Sequence, residues 1–472
     1  MAQPLEIEAP VPAPSDGEEE GYPSRARAWW LVAVLTLASV SSTIDGSILS
    51  MMVGPVRREL GLSDTQISLL MGFAVAVLFA VMAYPIGRLA DSRNRRSIIA
   101  VGIMLWSVTT LACGLVQSFA QFVIARVGLG IGKSALPPAA LSMISDSFPK
   151  RRLATATSVF GFGNFLGSGL SIGLGGVLVG AASKRDFWTV PLLGAMRPWR
   201  TVFPILGVSG LLVLLLMYTL REPRRHGGGW KAQGAGGAVE AVPLNEVFSY
   251  LKANRLTFFC HILGFSLFAL HNMAFAAWLP TFFIRTYGWT PAQVGMVYSP
   301  MLIVFGCLGV YTGGRLADRL ESRGQLDAKL KSGLFAALAV IPFIVLYPLM
   351  PNGTASMIVL VPLTFLVTFP VGAAAAALLA VTPNPMRAQV SALYLLVVHL
   401  VSSGLGPTVV ALLTDYVFHD DQALRYSLIL MGVPVMAAAA VLLAIGRRPY
   451  RLSWQYCESW VAERGSAPAA GV

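Results

Sequence analysis

Long apolar runs separated by short polar segments recur along most of the chain. Each run can cross a hydrocarbon layer of ~30 Å as a helix, the fold that satisfies backbone hydrogen bonds in lipid. Gly, Pro and charged residues mark the boundaries. The pattern predicts an all-α membrane protein with twelve transmembrane helices at residues 29–51, 66–90, 97–117, 120–144, 153–181, 198–220, 257–283, 292–317, 331–350, 355–382, 386–415 and 423–446.

A short internal repeat divides these helices into two groups of six. The letters GRLAD at residues 87–91 recur at residues 314–318. Both copies end the second helix of a half and open a basic loop. Parallel repeated halves are a transporter architecture, with the substrate site between them near the midplane. The repeat therefore predicts two pseudo-symmetric six-helix bundles, at residues 29–220 and 257–446.

Three polar segments flank and join the two bundles. Residues 1–28 are acidic and Pro-rich, without the basic start and apolar core of a cleaved signal peptide, and predict a disordered cytosolic tail. Residues 221–256 are Gly-rich and predict a cytosolic linker whose last part, PLNEVFSYLKANR, could form a short interfacial helix. Residues 447–472 predict a cytosolic C-terminal tail.

Composition supports a membrane location, and the placement of the basic residues argues against one class of partner, nucleic acid. Hydrophobic residues make up 55% of the chain and charged residues 12%, against a charged share of roughly 25% in soluble domains. The net charge of +12 comes from short basic clusters in alternate loops, as the positive-inside rule requires. This placement predicts cytoplasmic termini and argues against nucleic-acid binding. The Ala-rich sequence and short tails favour a bacterial inner membrane.

The motifs of enzymes and nucleotide-driven pumps are missing from the sequence. GLGIGKSA around Lys133 contains Gly-Lys-Ser, but it lies inside a predicted membrane helix and lacks the spacing of a phosphate-binding loop. Neither a GxSxG elbow in a strand–turn–helix setting nor an HExxH zinc helix is predicted. The four cysteines show no metal-ligand spacing. We therefore expect neither enzyme activity nor a cofactor or metal.

Three charged residues lie well inside the predicted helices, away from their ends. A rise of ~1.5 Å per residue places Asp45 in the first helix and Arg126 in the fourth at similar depths, which predicts that they are partners. Lys133 shares a helix face with Arg126, ~10 Å away. Intramembrane charges mark functional sites. We therefore predict that Asp45 and Arg126 couple transport to protons and that Arg126 and Lys133 bind an anionic group. The alternatives are a structural ion pair and a Lys133 that neutralises another acidic residue.

Four further residues are weaker candidates for substrate binding or a proton path. A membrane histidine or amide is equally suited to a hydrogen bond between helices, and aromatic residues are often packing elements. The candidates are His271, Asn272, Tyr394 and His399.

The stretch GRLADSRNRR resembles the signature loop of the major facilitator superfamily, with a weaker copy in the second half. The resemblance implies a cytosolic gate that latches the halves in the outward-open state. Small residues would allow close helix approach, and acidic residues would hold arginines and neighbouring N–H groups. The predicted gate residues are Gly87, Asp91, Arg95, Arg96, Asp146, Gly314 and Asp318.

Three stretches around helices one, four and eleven resemble the Spinster-like branch, whose characterised members move lysophospholipids and sphingoid phosphates. That branch has Asp-Arg in the first helix and an Arg and a Glu in the fourth. Asp45 and Arg126 match this pattern, while Gly46 replaces the first Arg and Lys133 stands where the Glu would be. The resemblance then implies one surplus positive charge, which an anionic substrate would neutralise.

The sequence thus predicts a monomeric secondary active transporter, coupled to protons, that moves an amphiphilic or organic anion by alternating access. Lysophospholipid-like substrates are implied by the resemblance alone, and the other partners are protons and membrane lipids. The alternatives are transport of another small solute, such as an aromatic acid, a sugar acid or a drug, and facilitated uniport. Outside transport, the chain could be a transporter-like receptor.

Overall fold

The computed structural model describes residues 22–190, 194–224, 243–383 and 386–465. In these ranges twelve helices are long and apolar enough to cross a membrane, which confirms the predicted number. We number them α1 to α12: Arg25–Met51, Asp64–Ala83, Arg95–Cys113, Phe119–Ser145, Thr155–Ala182, Pro198–Tyr218, Arg255–Tyr287, Pro291–Glu321, Ala328–Leu349, Gly353–Ala380, Gln389–Phe418 and Asp421–Trp460.

The face that carries the start of α1 and the end of α12 is called the terminal face, and the opposite one the far face. At the terminal face the linker ends in the expected short helix, Leu244–Ala253. The helical structure of α12 continues to Gly465, although the sequence predicted its end at residue 446. Tyr450 explains the extension, because its side chain is fully buried and its hydroxyl donates to Ala377 O at 3.0 Å. Residues 1–21 of the predicted N-terminal tail and 225–242 of the linker lie outside the described residues, and α1 already begins at Arg25, inside the predicted tail.

The helices α1, α2 and α11 each contain a 3₁₀ or π-helical segment. The end of α1 tightens into a 3₁₀ turn at Ile48–Met51. A π-helical segment, Leu69–Phe73, lies in α2, and two more, Leu400–Leu405 and Leu413–Phe418, lie in α11. Such segments shift the backbone hydrogen-bond register and are frequent at functional sites. The first two border the buried charges described below.

Glycines bring the two halves into backbone contact. A Cβ at Gly176 of α5 would lie 2.3 Å from the carbonyl oxygen of Pro291 in α8. A Cβ at Gly72 of α2 would lie 2.0 Å from the carbonyl oxygen of Ser403 in α11. Small residues permit this approach, as the glycine-rich sequence of α5 predicts. Any larger side chain at these positions would push the halves apart.

Hydrophobic packing differs between the two faces. One continuous core joins the halves in the described part of the chain, and it contains far-face residues of both, such as Met51 and Phe282. Near the terminal face the buried side chains form two separate clusters, one within each half. Leu31 belongs to the first cluster and Tyr250 to the second. The halves are therefore packed together at the far face and divided toward the terminal face.

An ion cluster fixes the extended end of α12 to Asp327, directly before the start of α9. Asp327, 1% exposed, accepts from Arg447 Nε at 2.7 Å and from Arg451 Nη2 at 3.0 Å, with Lys331 Nζ 3.5 Å away. Burial opposes ionisation of this carboxyl, but the hydrogen bonds from Arg451 and Arg447 outweigh burial and lower the pKa of Asp327 to about 2.

Asp327→Asn is expected to lower the free energy of unfolding by about 2 kcal/mol at neutral pH. Because the folded-state pKa lies below the ordinary value, the ionised carboxylate stabilises the protein above pH ~4, and this contribution is lost as the pH falls toward 2. Thermal unfolding of the purified protein, followed at both ends of this range, measures the difference. The control is Asp318→Asn, at an exposed position. Equal unfolding temperatures for the two variants at neutral pH would contradict the prediction.

Candidate functional site

The three intramembrane charges predicted from the sequence lie together in the N-terminal half. Asp45 lies near the end of α1, and Arg126 and Lys133 lie in α4. Their exposed fractions are 1%, 0% and 8%. A charge buried to this extent needs compensation from neighbouring polar groups.

Backbone carbonyls surround the Arg126 guanidinium. Nε donates to Leu70 O at 2.8 Å, Nη2 to Gly46 O at 3.0 Å and Nη1 to Asp45 O at 3.3 Å. The α-helical part of α1 ends at Ser47, so the carbonyls of its last turn lack partners within the helix. Leu70 lies in the π-helical segment of α2. The negative end of one helix and an irregular turn of another thus hold the positive charge.

The Asp45 carboxylate makes no such contacts. Neither of its oxygens has a hydrogen-bond partner in the part of the chain described. The sequence predicted that Asp45 and Arg126 are partners, and the structure does bring them together, but through the backbone carbonyl of Asp45. A buried carboxylate without hydrogen-bond donors is costly, so its presence in a folded protein calls for a functional explanation.

Lys133 lies against the same part of α1. Its Nζ donates to Ser42 O. A Cβ at Gly46 would lie only 2.7 Å from Nζ, so the glycine leaves the space that the ammonium needs. Gly46 stands where the Spinster-like pattern has an arginine. The structure instead places a cation from α4 beside that position, so the two departures from the Spinster-like pattern are linked sterically.

Two of the weaker candidates lie inside the C-terminal half. His271 is 2% exposed, and a Cβ at Gly432 of α12 would lie 3.2 Å from its ring. Tyr394 is 9% exposed and its ring lies 5.6 Å from the ring of His261. Asn272 is half-buried. These contacts place His271 and Tyr394 in helix packing rather than beside the charges of the N-terminal half.

His399 occupies a different position, between the halves. It is half-buried, and its ring lies 5.5 Å from the ring of Phe79 in α2. A residue at this position experiences any movement of α11 relative to α2. His399 is therefore a predicted substrate-binding residue whose ring contacts the opposite half.

Sequence reasoning missed His261. It lies within α7 and is 1% exposed, and neither ring nitrogen has a hydrogen-bond partner among the described residues. The available signal was a histidine inside the apolar run TFFCHILGF. This was the same signal that selected His271.

Ion pairs at the far face join the two halves. Asp64, fully buried at the start of α2, accepts from Arg285 Nη1 at 2.6 Å and from Arg285 Nη2 at 2.7 Å. Arg57 lies 3.4 Å from Asp64 and also pairs with Asp421 of the C-terminal half. Burial works against the positive charge of Arg57, but its acidic partners prevail and raise its pKa. We call Arg57, Asp64, Arg285 and Asp421 the far-face lock.

Asp64→Asn is expected to open the far-face lock. Removing one charge of a buried pair costs roughly 3 kcal/mol, which shifts a two-state equilibrium by more than about tenfold. Spin labels at Lys184 and Tyr416, both exposed near the far face, should report a longer distance between the halves. Asp186→Asn, at an exposed position, is the matched control. A distance distribution identical to that of the unmutated protein would contradict this role.

The predicted gate motif forms an ion cluster at the terminal face. Arg95 is 1% exposed and pairs with Asp146, another residue of the predicted gate. Its Nε also donates to Glu222 Oε1 at 2.8 Å. The other oxygen of Glu222 accepts from the backbone N–H of Arg96 at 2.9 Å and thereby caps the start of α3. Sequence reasoning missed Glu222, which appeared as one charge in a basic linker segment.

The remaining gate residues follow the expectation less closely. A Cβ at Gly87 would meet Pro138 Cβ at an ordinary 3.9 Å, and a Cβ at Gly314 would meet nothing within 4 Å. Among the described residues, no neighbour lies close enough to either position to require a glycine. Arg96 donates to Leu220 O at 2.8 Å, and Asp318 is exposed. The Asp91 side chain lies outside the described part of the structure.

Comparison with known families now identifies the architecture. Residues 35–407 match the Major Facilitator Superfamily. The chain belongs to this superfamily. The twelve helices and the transporter class predicted from the repeat are thereby confirmed.

Two relatives of the chain are named for different transport functions. An MFS-type efflux pump of Mycolicibacterium smegmatis is 27% identical over 437 residues, covering 90% of this chain and 94% of that protein. The "Probable L-galactonate transporter" of Escherichia coli is 24% identical over 457 residues, covering 93% and 94%. Both alignments span nearly the whole chain.

A solved structure confirms the resemblance to the Spinster-like branch. It is a bacterial homologue of the human lysosomal transporter Spinster, in an inward-facing and unoccupied conformation. The TM-score is 0.75 at 25% identity, and the match covers 92% of this chain and 98% of the other. The superfamily fold and the Spinster-like similarity are thus both supported by full-length matches.

Proposed function

We propose that this superfamily transporter couples protons to the movement of an amphiphilic or organic anion. In this proposal Asp45 exchanges the proton, while Lys133 and Arg126 attract the anion. The chain lies in a bacterial inner membrane with the terminal face toward the cytoplasm, as the positive-inside pattern favours. Residues 29–220 and 257–446 are the two moving bundles.

The observation that carries the proposal is the bare Asp45 carboxylate. It is 1% exposed, and its oxygens have no donor among the described residues, although two cations lie beside the same helix turn. Burial favours the protonated form of this carboxyl group, whereas the neighbouring positive charges favour its ionised form. Small changes in the distance to the cations would therefore change its proton occupancy. This sensitivity suits a coupling site.

Charge balance supports an anionic substrate. With Asp45, Arg126 and Lys133 ionised, the site carries one net positive charge. Arg126 uses three of its five N–H donors on backbone carbonyls, and Lys133 uses one of its three on Ser42 O. Both therefore retain donors for a carboxylate or phosphate. The Spinster-like similarity suggests lysophospholipid-like substrates. The similarity to the galactonate transporter suggests sugar acids.

Alternating access is supported by the contrast between the two faces. The far-face lock and the continuous core hold the halves together on one side. The hydrophobic clusters separate on the other side. With cytosolic termini this arrangement is inward-facing, the state named for the similar Spinster homologue.

Purified protein in proteoliposomes tests the function. Internal pH and labelled substrate are recorded together under an imposed proton gradient, while lysophospholipids, sugar acids and other organic anions are added in turn. Substrate-dependent proton flux supports the proposal. Substrate movement without proton flux would indicate a facilitative uniporter, and binding without movement a transporter-like receptor. Vesicles without protein provide the background.

A further inference from the structure

A cavity of about 480 Å³ lies at the terminal face, between the start of α1 and the end of α6. Arg27, Arg221 and Arg224 line it, and all three are exposed. No ion pair of these arginines occurs within the described ranges. The one described acidic residue in the lining, Glu222, already binds Arg95. The cavity therefore carries a net positive charge, and its arginines are available to an anion.

Specific contacts hold the walls of this cavity, which we call the arginine cavity. Trp30 Nε1 donates to Thr219 Oγ1 at 3.0 Å and fixes α1 to α6. Arg95 Nη2 donates to Pro223 O at 3.1 Å and fixes the segment after α6 to α3. The arginine cavity is thus built on three helices and is not formed by a single loop.

The surroundings of the arginine cavity are those of a lipid–water interface. Trp30 in its lining is 47% exposed, and Tyr218, one residue before Thr219, is 64% exposed. Exposed tryptophan and tyrosine at helix ends are typical of the headgroup level of a bilayer. A second cavity, of about 150 Å³, lies between α3 and α6 and is lined by Arg96 and by apolar residues that include Val101 and Met104. It offers an apolar groove beside another arginine.

We propose that an anionic phospholipid binds at the end of α6, with its phosphate in the arginine cavity. Guanidinium groups recognise phosphate through paired N–H donors, and basic cavities between membrane helices bind acidic headgroups. The hydrocarbon chains lie on the exposed apolar surface of α3 and α6, which a soluble phosphate would not use. This site is separate from the buried charges of the transport proposal. The bound lipid holds residues 219–224, and through Glu222 it keeps Arg95 in the gate cluster.

Native mass spectrometry of the full chain tests the proposal. The protein is equilibrated with equal amounts of phosphatidylglycerol and phosphatidylcholine of identical acyl chains. We expect retained phosphatidylglycerol to exceed phosphatidylcholine by about tenfold. The triple variant R27Q/R221Q/R224Q should lose this preference. The control R315Q/R319Q/R323Q removes the same charge from exposed positions of the other half and should keep the preference for phosphatidylglycerol.

Four results would overturn the proposal. Equal loss in both triple variants would indicate general surface charge, and retention of both lipids to the same extent would indicate no headgroup site. Displacement of phosphatidylglycerol by inorganic phosphate alone would indicate a soluble-anion site. A variant that lacks residues 2–21 tests the acidic segment GEEEG that precedes Tyr22. Lipid binding that appears only in this variant would mean that the segment, and not a lipid, occupies the cavity.

Amide hydrogen exchange tests whether the bound lipid stabilises the segment that carries Glu222. Amide hydrogen exchange of residues 219–224 should slow when phosphatidylglycerol is added to the unmutated protein, because the lipid stabilises this segment against local opening. The pocket variant R27Q/R221Q/R224Q should show no slowing. Unchanged exchange in the unmutated protein, despite retained lipid, would refute the positioning of Glu222 by the lipid.

Discussion

Asp45→Asn should abolish the response of transport to a proton gradient, reducing gradient-driven accumulation of substrate by at least about tenfold. The asparagine keeps the size of the side chain but removes the group that takes up and releases the proton. The two cations beside it then stay attracted to the same neighbours at every pH. Internal pH and substrate uptake in proteoliposomes measure both parts of this expectation.

A second variant at the same position separates coupling from structure. Asp45→Glu retains a carboxyl group and should restore part of the pH response. Asp186→Asn removes a carboxylate at an exposed position of the far face and should transport as the unmutated protein does. If Asp45→Asn transported with the full pH response, Asp45 would be a structural charge and the coupling role would be withdrawn.

Lys133→Glu should reduce transport of an anion by roughly a hundredfold, since two charge units separate the variant from the native site. The net charge of the three positions changes from +1 to −1, which repels an anionic headgroup or carboxylate. Lys133→Met removes the charge and keeps a side chain of similar length, so its transport rate should lie between those of the native protein and Lys133→Glu. Lys252→Glu, at an exposed position of the short linker helix, is the control. Substrate binding measured by titration of the purified protein separates lost affinity from lost movement.

Gly46 provides a further test of the same site. A methyl group there would lie 2.7 Å from the Lys133 ammonium, so Gly46→Ala must displace the ammonium from its present position. Gly46→Arg combined with Lys133→Glu returns the site to zero net charge and to the order of charges found in the Spinster-like branch. We expect this double variant to prefer a zwitterionic lysophospholipid over an anionic one. Anion affinity equal to that of the native protein in Lys133→Glu would remove Lys133 from the substrate site.

The pattern of apolar runs sufficed for the membrane-spanning architecture. A helix that crosses lipid must be apolar over about 20 residues, whatever its neighbours are, so the signal is local and strong. The limits of α12 were less predictable. Its end is stabilised by the burial of Tyr450 and by the pairing of Asp327 with arginines, and neither contact is visible as an apolar run.

The candidate site was predictable in part for the same reason. A charge inside an apolar run is unusual and visible in the sequence alone, so Asp45, Arg126 and Lys133 could be selected without a structure. Asp64 and Arg285 gave no such signal, since they lie just outside the predicted runs and resemble ordinary loop charges. Their separation of 221 positions along the chain conceals a bidentate contact of 2.6–2.7 Å.

The sequence by itself determined the number of helices, the two repeated halves and the identity of the intramembrane charges. Only the tertiary structure decided what those charges touch. It surrounds Arg126 with carbonyls from two helices, leaves the Asp45 carboxylate without a donor and places Lys133 in the space beside Gly46. The physical reason is range. Transfer into lipid depends on the composition of one segment, whereas a hydrogen bond depends on the positions of two segments to within a fraction of an ångström.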